Sequence, residues 1–393
     1  MNGTIYMPVG EVCSSISDTY REKKNMVTLI NTSDVLEGRV LNHERVPNSN
    51  LKGQFKKTFQ RDDILYSEIR PQNRRFAYVD FSPIDYIAST KLMVIRAKKD
   101  VVSPKYLYYF LKNSSTVAEL QLLAETRSGT FPQITFSEVA NLTIPVPSLA
   151  VQEVIVQTMQ CLEDKITCNE QINDNLEQQA QSYFQELFVD NADPEWTTGT
   201  ISDLGTVVGG STPSKAKPEY YTESGIAWIT PKDLSINKSK FVSHGENDIT
   251  ELGLKNSSAA IMPEGTVLFS SRAPIGYIAI AAGEVTTNQG FKSVVPKPEI
   301  GTPFVYFFLK NTLPVIEGMA SGSTFKEVSG STMKNVPAVI PDAETLAKFS
   351  DFCAPIFAQQ RILEEQNQSL ATLRDNLLPK LMSGEIDVSA VQL

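Results

Sequence analysis

Three short strings recur in the same order in the two halves of the 393-residue chain. The pairs are DILYS at 63–67 with TVLFS at 266–270, YYFLKN at 108–113 with YFFLKN at 306–311, and SGTF at 128–131 with GSTF at 322–325. Their period of about 200 residues is much longer than the roughly 20–50 residues of a solenoid repeat. The sequence therefore predicts a tandem duplication of a globular block of about 145 residues, each copy followed by a long helix.

Two glycine-free stretches have apolar residues at alternating steps of three and four, from about 149 to 189 and from about 345 to 378. This heptad pattern predicts two long helices, the first roughly 60 Å long at ~1.5 Å per residue. Either stretch alone could be an amphipathic helix lying on its own domain. Because there are two, an antiparallel intramolecular coiled coil is favoured. Its inward polar residues could fix the register by pairing: Asn169 and Asn173 in one helix, Gln359 and Gln366 in the other.

The globular blocks have the patterns of mixed α and β structure. Short β-branched and aromatic runs bounded by Gly, Pro, Asn and Ser predict strands, whereas residues 104–113, 116–125 and 303–312 have helical spacing. The predicted fold class is α+β, with two mixed α/β domains joined by two long helices that pack as an antiparallel coiled coil with pseudo-two-fold symmetry. The predicted segments are a first domain, a central helix, a second domain and a C-terminal helix, at 1–148, 149–195, 196–341 and 342–393.

The formal net charge of −9 is unevenly distributed along the chain. The first domain has 19 basic and 15 acidic side chains, and the second has 12 of each. The acidic excess lies in the helical segments, with 1 basic and 10 acidic residues in 149–195 and 4 basic and 8 acidic residues in 342–393. The total charge argues against nucleic acid, but the domains themselves are neutral to basic and could approach a polyanion.

Cysteine and hydropathy patterns exclude several classes of protein. The four cysteines lack C-x-x-C spacing and the chain has only two histidines, so we expect neither a structural zinc site nor a disulfide framework. No stretch approaches the ~18 uncharged apolar residues of a membrane span. The N-terminus has no basic and apolar regions of a secretion signal. These features predict a cytoplasmic protein that does not contact a membrane.

The motifs of common enzyme classes are missing from the sequence. It has no phosphate loop, dinucleotide turn, nucleophile elbow, zinc-protease motif or zinc-deaminase motif. No two prolines are adjacent, so the Asn-Pro-Pro-aromatic motif expected of an adenine methyltransferase is absent too. His43 and His244 are interpreted as surface-loop residues. The chain is therefore predicted to bind rather than to catalyse, with no catalytic and no metal-ligating residue.

Basic residues stand among aromatic and polar ones in both domains. Lysine and arginine suit phosphate contacts, and arginine can also recognise a base with two hydrogen bonds. A solvated surface explains any single lysine, but clustering in both copies makes DNA contact the hypothesis to test. The candidate DNA-binding residues are Lys56, Lys57, Arg61, Arg70, Arg74 and Arg75 in the first domain and Lys215, Lys217, Thr230, Lys232, Lys238, Lys240 and Arg272 in the second.

The duplication suggests how such a chain could read DNA. If the helices pack antiparallel, an approximate two-fold axis relates the domains, and each meets a duplex in the opposite orientation. Half-sites one to two helical turns apart, ~34–70 Å, would match the predicted helix length. Because the domains differ between their shared strings, the two half-sites should differ as well.

Several strings, in the order of two variable blocks and two helical spacers, resemble the DNA-specificity subunit of type I restriction-modification systems. The resemblance covers nearly the whole chain. The first domain departs from the pattern, because it lacks the GSTPS string and has SEIRP at 67–71 where the second has SSRAP. The strings are GSTPS at 210–214, IAWIT at 226–230 with Asp233 and Leu234, SRAPIG at 271–276, TNQGF at 287–291, QEVIV at 152–156 and LLPKLMSGEI at 377–386.

The resemblance implies that each domain is a target-recognition domain that reads one half of a split, asymmetric sequence in double-stranded DNA. The helices would dock two methyltransferase subunits, which bind S-adenosylmethionine and methylate adenine N6. ATP-driven restriction subunits, with magnesium, would join the complex, and the specificity chain itself would have no active site. Two alternatives stay open: a coiled-coil scaffold that binds only protein, and a nuclease or methyltransferase with a degenerate site.

Overall fold

The structure, a computed structural model, describes residues 4–49, 53–126, 132–322 and 326–388. The third pair of repeated strings therefore lies outside the described residues, apart from Gly322. The chain divides into two compact units. Unit 1 comprises Met1–Ile166 with Ser369–Leu393, and unit 2 comprises Thr167–Gln368.

Unit 1 is built on two four-stranded sheets. One is antiparallel with the order β2-β11-β8-β9, and the other has the order β6-β3-β10-β7, in which β3 and β10 are parallel. Strand β1 pairs with β12, and β4 pairs with β5. The strands are β1 (Ile5–Pro8), β2 (Cys13–Ile16), β3 (Met26–Ile30), β4 (Val35–Leu36), β5 (Arg39–Val40), β6 (Val46–Pro47), β7 (Phe55–Lys57), β8 (Ile64–Ser67), β9 (Phe76–Tyr78), β10 (Tyr86–Ser89), β11 (Leu92–Ala97) and β12 (Thr143–Val146).

In the described part of unit 1 five α-helices begin: α1 (Val9–Val12), α2 (Pro104–Lys112), α3 (Ser114–Glu125), α4 (Phe136–Asn141) and the long α5 (Leu149–Gln185). Helix α2 has proline at its first position, where no backbone N–H is needed. It buries Tyr106 and Tyr109 in a core that also takes Ile155 and Met159 from α5. The sheet β2-β11-β8-β9 and the start of α5 therefore share one hydrophobic core, whereas Ile30 and Ala88 of the other sheet belong to a second core.

Unit 2 contains a five-stranded sheet of order β14-β22-β19-β20-β17 and a four-stranded sheet of order β15-β18-β16-β21. Strands β16 and β21 are parallel, and β13 pairs with β23. The strands are β13 (Thr197–Thr200), β14 (Gly205–Gly209), β15 (Tyr221–Thr222), β16 (Ile226–Ile229), β17 (Phe241–Val242), β18 (Asn247–Ile249), β19 (Val267–Ser271), β20 (Ile275–Ala281), β21 (Thr286–Thr287), β22 (Lys292–Pro296) and β23 (Pro337–Ile340).

The helices of unit 2 pack an aromatic core. Phe304 and Phe307 of α9 meet Phe184 of α5 and Phe349 of α11, with ring centroids 5.8–6.0 Å apart. Aromatic pairs at these separations stabilise a core beyond the area that they bury. The helices that begin in this unit are α6 (Ile201–Leu204), α7 (Pro231–Ile236), α8 (Glu251–Lys255), α9 (Thr302–Met319), α10 (Gly330–Lys334) and the 41-residue α11 (Ala343–Ser383).

The same set of elements recurs in the two units. Strand β11 pairs with β2 and β8 in unit 1, as β22 pairs with β14 and β19 in unit 2. The parallel pair β3 and β10 corresponds to β16 and β21, and β1 with β12 corresponds to β13 with β23. This confirms the predicted duplication and the fold class of two mixed α and β domains joined by two long helices. The domain boundaries given above stay predictions.

The two long helices run antiparallel within unit 2. Asn169 Nδ2 of α5 donates a hydrogen bond to Asn367 Oδ1 of α11 at 2.8 Å. Further along α5, the ring of Tyr183 lies 4.5 Å from that of Phe352. As residue numbers rise on one helix they fall on the other, which is the predicted direction.

The inward positions of α11 differ from the predicted ones by one residue. Gln359 and Gln366 are exposed, whereas Gln360 is 3% exposed and donates to Asn173 O at 3.2 Å. The buried residues keep the seven-residue repeat, but they step by four and then three from Phe349, whereas the prediction stepped by three and then four; they are Phe349, Cys353, Ile356, Gln360 and Leu363. The pairing partner of Asn169 is accordingly Asn367, with Gln366 Oε1 at 3.5 Å.

Among the helices of the described ranges, none is both long enough and apolar enough to cross a membrane.

Candidate nucleic-acid interface

In unit 2 a short turn at residues 288–291 links the two sheets, and we call it the inter-sheet turn of this unit. It follows β21 and precedes β22. Asn288 Oδ1 accepts a hydrogen bond from Gly290 N at 2.8 Å, and Asn288 N donates to Ile229 O at 3.0 Å. A side chain that bonds the backbone two residues on is typical of an Asx turn. Gln289 is exposed at its tip.

Other strings singled out in the sequence meet this turn from both sides. Ser211 N donates to Thr287 O at 2.8 Å, and Trp228 Nε1 donates to Ser211 O at 3.0 Å. On the opposite side, Ser271 N and Oγ donate to Gly290 O at 2.7 and 3.0 Å. Strings that are far apart in the chain therefore form one loop cluster.

The residue types in this cluster follow from its close packing. A Cβ on Gly210 would lie 1.9 Å from Asn288 O, so only glycine fits there.

Thr230 caps helix α7: its N and Oγ1 both donate to Asp233 Oδ2, at 2.7 and 2.6 Å. This is a capping box with proline at the first helical position. The hydroxyl of Thr230 thus has a structural partner within the helix.

Polar side chains border the exposed tip of the turn in unit 2. Thr212 Oγ1 is hydrogen-bonded to Gln289 Oε1. Arg272 Nη1 lies 3.7 Å from Glu327 Oε2, and Lys292 Nζ lies 3.9 Å from Glu327 Oε1. Arginine and glutamine can each make two hydrogen bonds to a purine edge in the major groove, arginine to guanine and glutamine to adenine. We call these side chains the border of the turn, and they form the candidate interface of unit 2: Thr212, Arg272, Gln289, Lys292 and Glu327.

Unit 1 has an equivalent inter-sheet turn at residues 89–92, which runs from the last residue of β10 to the first residue of β11. Ser89 Oγ accepts from Lys91 N at 3.3 Å, in the same i to i+2 pattern. Glu68 N donates to Lys91 O at 3.0 Å. The exposed Lys91 ammonium lies 3.4 Å from both Glu68 Oε2 and Gln133 Oε1. Different side chains thus border the same turn in the two units.

Arg70 and Arg272 do not occupy equivalent positions. Ile69 and Arg272 each form the isolated antiparallel bridge that follows the central strand, β8 or β19. Arg70 and Ala273, each next to a proline, take left-handed backbone with φ of 45° and 46°. Arg70 therefore corresponds to Ala273. Its exposed side chain is attached one residue further along the repeat than that of Arg272.

Six more of the candidate residues have exposed side chains. Three of them have nearby partners: Lys232 Nζ is 2.5 Å from Glu246 Oε2, Lys217 Nζ is 5.2 Å from the Tyr220 ring, and Lys238 Nζ is 4.9 Å from the Tyr277 ring. Contacts at exposed sites are weak enough to be exchanged for phosphate. The six residues are Lys56, Arg61, Lys215, Lys217, Lys232 and Lys238.

Three candidates in unit 1 make internal contacts. Arg74 Nη2 donates to Ser114 Oγ at 2.8 Å, and Arg75 Nη1 donates to Ser33 O at 3.0 Å. Lys57 Nζ donates to two backbone carbonyls, and burial lowers its pKa. Arg74 also faces a cavity of about 140 Å³ whose lining includes Lys112, Glu163, Arg374 and Asp375. These three side chains hold parts of unit 1 together.

Lys240 is buried at 7% exposure. Its Nζ lies 2.7 Å from Glu177 Oε2 and 2.9 Å from Gln360 Oε1, and 3.6 Å from the centroid of the Phe357 ring. Burial lowers the pKa of Lys240 to about 8, although Glu177 opposes the shift. Because a buried and paired ammonium does not suit phosphate contact, we leave Lys240 out of the proposed interface.

Several residues that border the inter-sheet turns are not among the candidates predicted from the sequence: Lys91, Gln133, Gln289, Lys292 and Glu327. The string TNQGF was noted, but only as a mark of resemblance. A strand-by-strand alignment of the two copies places Gln289 at the position of Thr90, the residue before Lys91. That signal depends on knowing the strand pairing.

Comparison with known proteins identifies the family. The family model described as "Type I restriction modification DNA specificity domain" matches residues 6–178 and again residues 194–373. The chain belongs to this family. The HindI specificity subunit of the Haemophilus influenzae type I restriction enzyme is 29% identical, over 92% of this chain and 94% of that protein. The MjaIX specificity subunit from Methanocaldococcus jannaschii is 39% identical over 194 residues, 47% of this chain and 45% of that protein.

A solved structure has the same fold as this specificity subunit. The S subunit of a type I restriction-modification system from M. genitalium has a TM-score of 0.55 at 17% identity, covering 97% of this chain and 96% of that one. The family match in both halves confirms the predicted DNA-specificity function. The alternative of a protein-binding scaffold without DNA readout is not favoured.

Proposed function

We propose that this specificity subunit reads a bipartite, asymmetric site in double-stranded DNA, one half with each domain, and has no active site of its own. The proposal is carried by the two equivalent inter-sheet turns with different polar borders. Gln289 and Arg272 border one turn, and Lys91 and Gln133 border the other. Because hydrogen-bonding side chains read base edges, different borders select different bases.

Exposed cations of both domains contact the DNA backbone. Lys56 and Arg61 serve the first domain, and Lys215, Lys217 and Lys238 serve the second. Such contacts fix the register of a domain on the duplex, while the base contacts give specificity. The acidic excess of the helical segments keeps those segments away from phosphate.

Helices α5 and α11 dock two methyltransferase subunits, which bind S-adenosylmethionine and methylate adenine N6. Restriction subunits that use ATP and magnesium join this complex. The proposal is supported by the relatives, which are named specificity subunits of type I restriction enzymes. The sequence motifs that would allow the chain itself to methylate or cut DNA are missing.

The test is an Arg272→Ala variant of the chain assembled with its methyltransferase subunits. Mapping methylated adenines in a genome with the wild-type complex gives the recognised sequence. Losing one bidentate pair to a base weakens discrimination by ~1–3 kcal/mol, which is about 5- to 150-fold. Arg272→Ala should relax one position in one half-site and leave the other half-site unchanged.

Lys297→Ala is the matched control, because Lys297 is exposed just beyond the far end of β22 from the inter-sheet turn. Equal weakening of both half-sites by Arg272→Ala would contradict the proposal. So would methylation of DNA by the purified chain alone with S-adenosylmethionine. The scaffold alternative instead predicts no salt-dependent DNA affinity, even with partner subunits present.

A further inference from the structure

In unit 1 a lysine ammonium contacts the inter-sheet turn from its inner side. Lys57 Nζ donates to Thr90 O at 3.0 Å and to Leu92 O at 2.8 Å. These carbonyls flank Lys91, whose own ammonium reaches outward to the border of the turn. One lysine thus holds the backbone on the inner side while its neighbour presents a cation to solvent.

Unit 2 has the same arrangement at its own turn. Lys292 Nζ donates to Gln289 O and to Phe291 O, both at 3.3 Å. These carbonyls flank Gly290, and Gln289 is the exposed tip. Burial lowers the pKa of Lys292, as it does that of Lys57.

Strand pairing shows that the two carbonyl pairs are equivalent. Lys91 O accepts from the residue after β8, and Gly290 O accepts from Ser271, the last residue of β19. Leu92 is paired with Ser67 and Phe291 with Ser270, the matching residues of the repeated strings. Each lysine therefore bonds the carbonyls immediately before and after the same point of the turn.

The two lysines come from different places in the chain. Lys57 lies on β7, a strand of the other sheet, and Lys292 is the first residue of β22. The residue of unit 1 that corresponds to Lys292 is Met93, one position after Leu92, and it is 2% exposed. Simple inheritance through duplication would place the lysine at one position in both copies. Its supply from two positions indicates that the turn itself requires a cation there.

We propose that Lys57 and Lys292 are positioning residues, each of which holds an inter-sheet turn so that its tip side chain reads one base pair. The tip side chains are Lys91 in unit 1 and Gln289 in unit 2. Lysine reads the acceptors of guanine, and glutamine pairs with the N6 and N7 atoms of adenine. This inference rests on the proposed function and names the residues that determine specificity in it.

The experiment uses the full chain assembled with its methyltransferase subunits, and duplexes that carry the mapped wild-type site or single-base changes in it. Lys292→Met should lower discrimination at one base pair of one half-site about tenfold, and Gln289→Ala should relax the same base pair. Lys292→Arg can still donate to both carbonyls and should keep discrimination near the wild-type value. Lys57→Met should relax one base pair in the other half-site.

Salt dependence separates positioning from phosphate contact. Because Lys292 bonds the protein backbone, Lys292→Met should leave the slope of log affinity against log salt unchanged, whereas loss of one phosphate contact changes it by about 0.9. Lys297→Met is the control for loss of one positive charge, since Lys297 is exposed beyond the other end of the same strand. It should change neither discrimination nor the site that is read.

Several results would overturn the proposal. They are a Lys292→Met effect spread equally over both half-sites, a Gln289→Ala variant that relaxes no base pair or a different one, and a failure of Lys292→Arg to retain discrimination. The proposed function fails separately, and before any variant is compared, if the wild-type complex methylates no bipartite sequence.

Discussion

At Lys240 in the second domain, burial and a nearby opposite charge act on the ammonium in opposite directions. Its ammonium pairs with Glu177, which Lys310 also contacts, and its backbone N donates to Glu364 Oε1 at 2.7 Å. Burial disfavours the charged form and lowers the pKa of Lys240 to about 8. The side chain therefore ties β17 to both long helices but is held in an unfavourable environment for a cation.

This environment makes stability depend on pH in a defined direction. Unfolding returns the pKa of Lys240 from about 8 to its ordinary value of 10.5, so at pH 9 the unfolded chain binds a proton that the folded chain has released. Stability then rises with pH, by at most about 1.4 kcal/mol per unit. We expect the unfolding free energy of wild type minus that of Lys240→Met to increase from pH 8 to pH 10, as measured by urea denaturation.

Lys238→Met is the control for this prediction, because Lys238 is exposed two residues earlier. Its difference from wild type should stay constant over the same pH range. If the unfolding free energy of wild type minus that of Lys240→Met stays constant or decreases as pH rises, Lys240 does not have a lowered pKa in the folded protein.

Asn169 of α5 and Asn367 of α11 form a polar contact between the two long helices of unit 2. Asn169 is completely buried, and its Oδ1 has no hydrogen-bond partner although its Nδ2 is satisfied. A buried asparagine in a helical seam fixes register and partner orientation while lowering stability. The pair therefore favours one alignment of α5 and α11 over shifted ones.

This interpretation predicts a non-additive response to substitution. Asn169→Leu alone leaves the amide of Asn367 without its partner, and we expect the unfolding free energy to fall by about 1 kcal/mol. The double variant Asn169→Leu with Asn367→Leu should recover this loss and exceed the wild-type value, because both groups become apolar. Urea denaturation of wild type, both single variants and the double variant measures the coupling. Equal stabilities of the Asn169→Leu and double variants would contradict it.

At this scale the sequence predicted the elements better than their contacts. Heptad spacing identified both long helices, but the prediction stepped from Phe349 to the exposed Phe352 and so placed Gln359 inward. The buried heptad instead steps from Phe349 to Cys353 and places Gln360 inward. Likewise, Lys240 has the sequence surroundings of an exposed lysine. Its burial depends on Glu177 and Gln360, which are distant in the chain and approach it only in the folded unit.

For the whole molecule, the two long helices are each shared between the two units. Unit 1 takes residues 149–166 of α5 and residues 369–383 of α11, and unit 2 takes the remainder of both. Leu378, Leu381 and Met382 are buried in the same core as Ile155 and Met159. The first domain is therefore completed by the C-terminal part of the chain.

Truncation after residue 368 should consequently damage the first domain and spare the second. Burying each large apolar side chain stabilises a fold by about 1.5–3 kcal/mol, so loss of three removes several kcal/mol from unit 1. Hydrogen exchange should become faster in β8, β11 and α2 and stay unchanged in β19 and β22. Leu381→Ala should act in the same direction as the truncation.

Leu373→Ala is the control for that comparison, because Leu373 is 50% exposed on the same helix and should leave exchange unchanged. Faster exchange in unit 2 after truncation, with unit 1 unaffected, would disprove the assignment of residues 369–388 to the first domain.

The repeated strings were sufficient to predict two similar domains, and a separate set of strings gave the family resemblance, but neither set predicted the residues at the candidate interface. Gln289 lies in the TNQGF string, which marked only the resemblance, and Lys91 lies in no string that was singled out; Lys57 and Lys292 occupy unrelated positions in the two copies. Their shared role depends on where backbone carbonyls point after the sheets have formed. Spacing in the sequence contains no information on that direction.

The placement of residues 369–388 in unit 1 also has a consequence for synthesis on the ribosome. Every residue of unit 2 leaves the exit tunnel before the last segment of unit 1 does. The domain that is translated first therefore cannot complete its hydrophobic core until the last segment has been synthesised, whereas the domain translated second can fold before that. A pause or a premature stop late in the message would leave the first domain incompletely folded but would not affect the second.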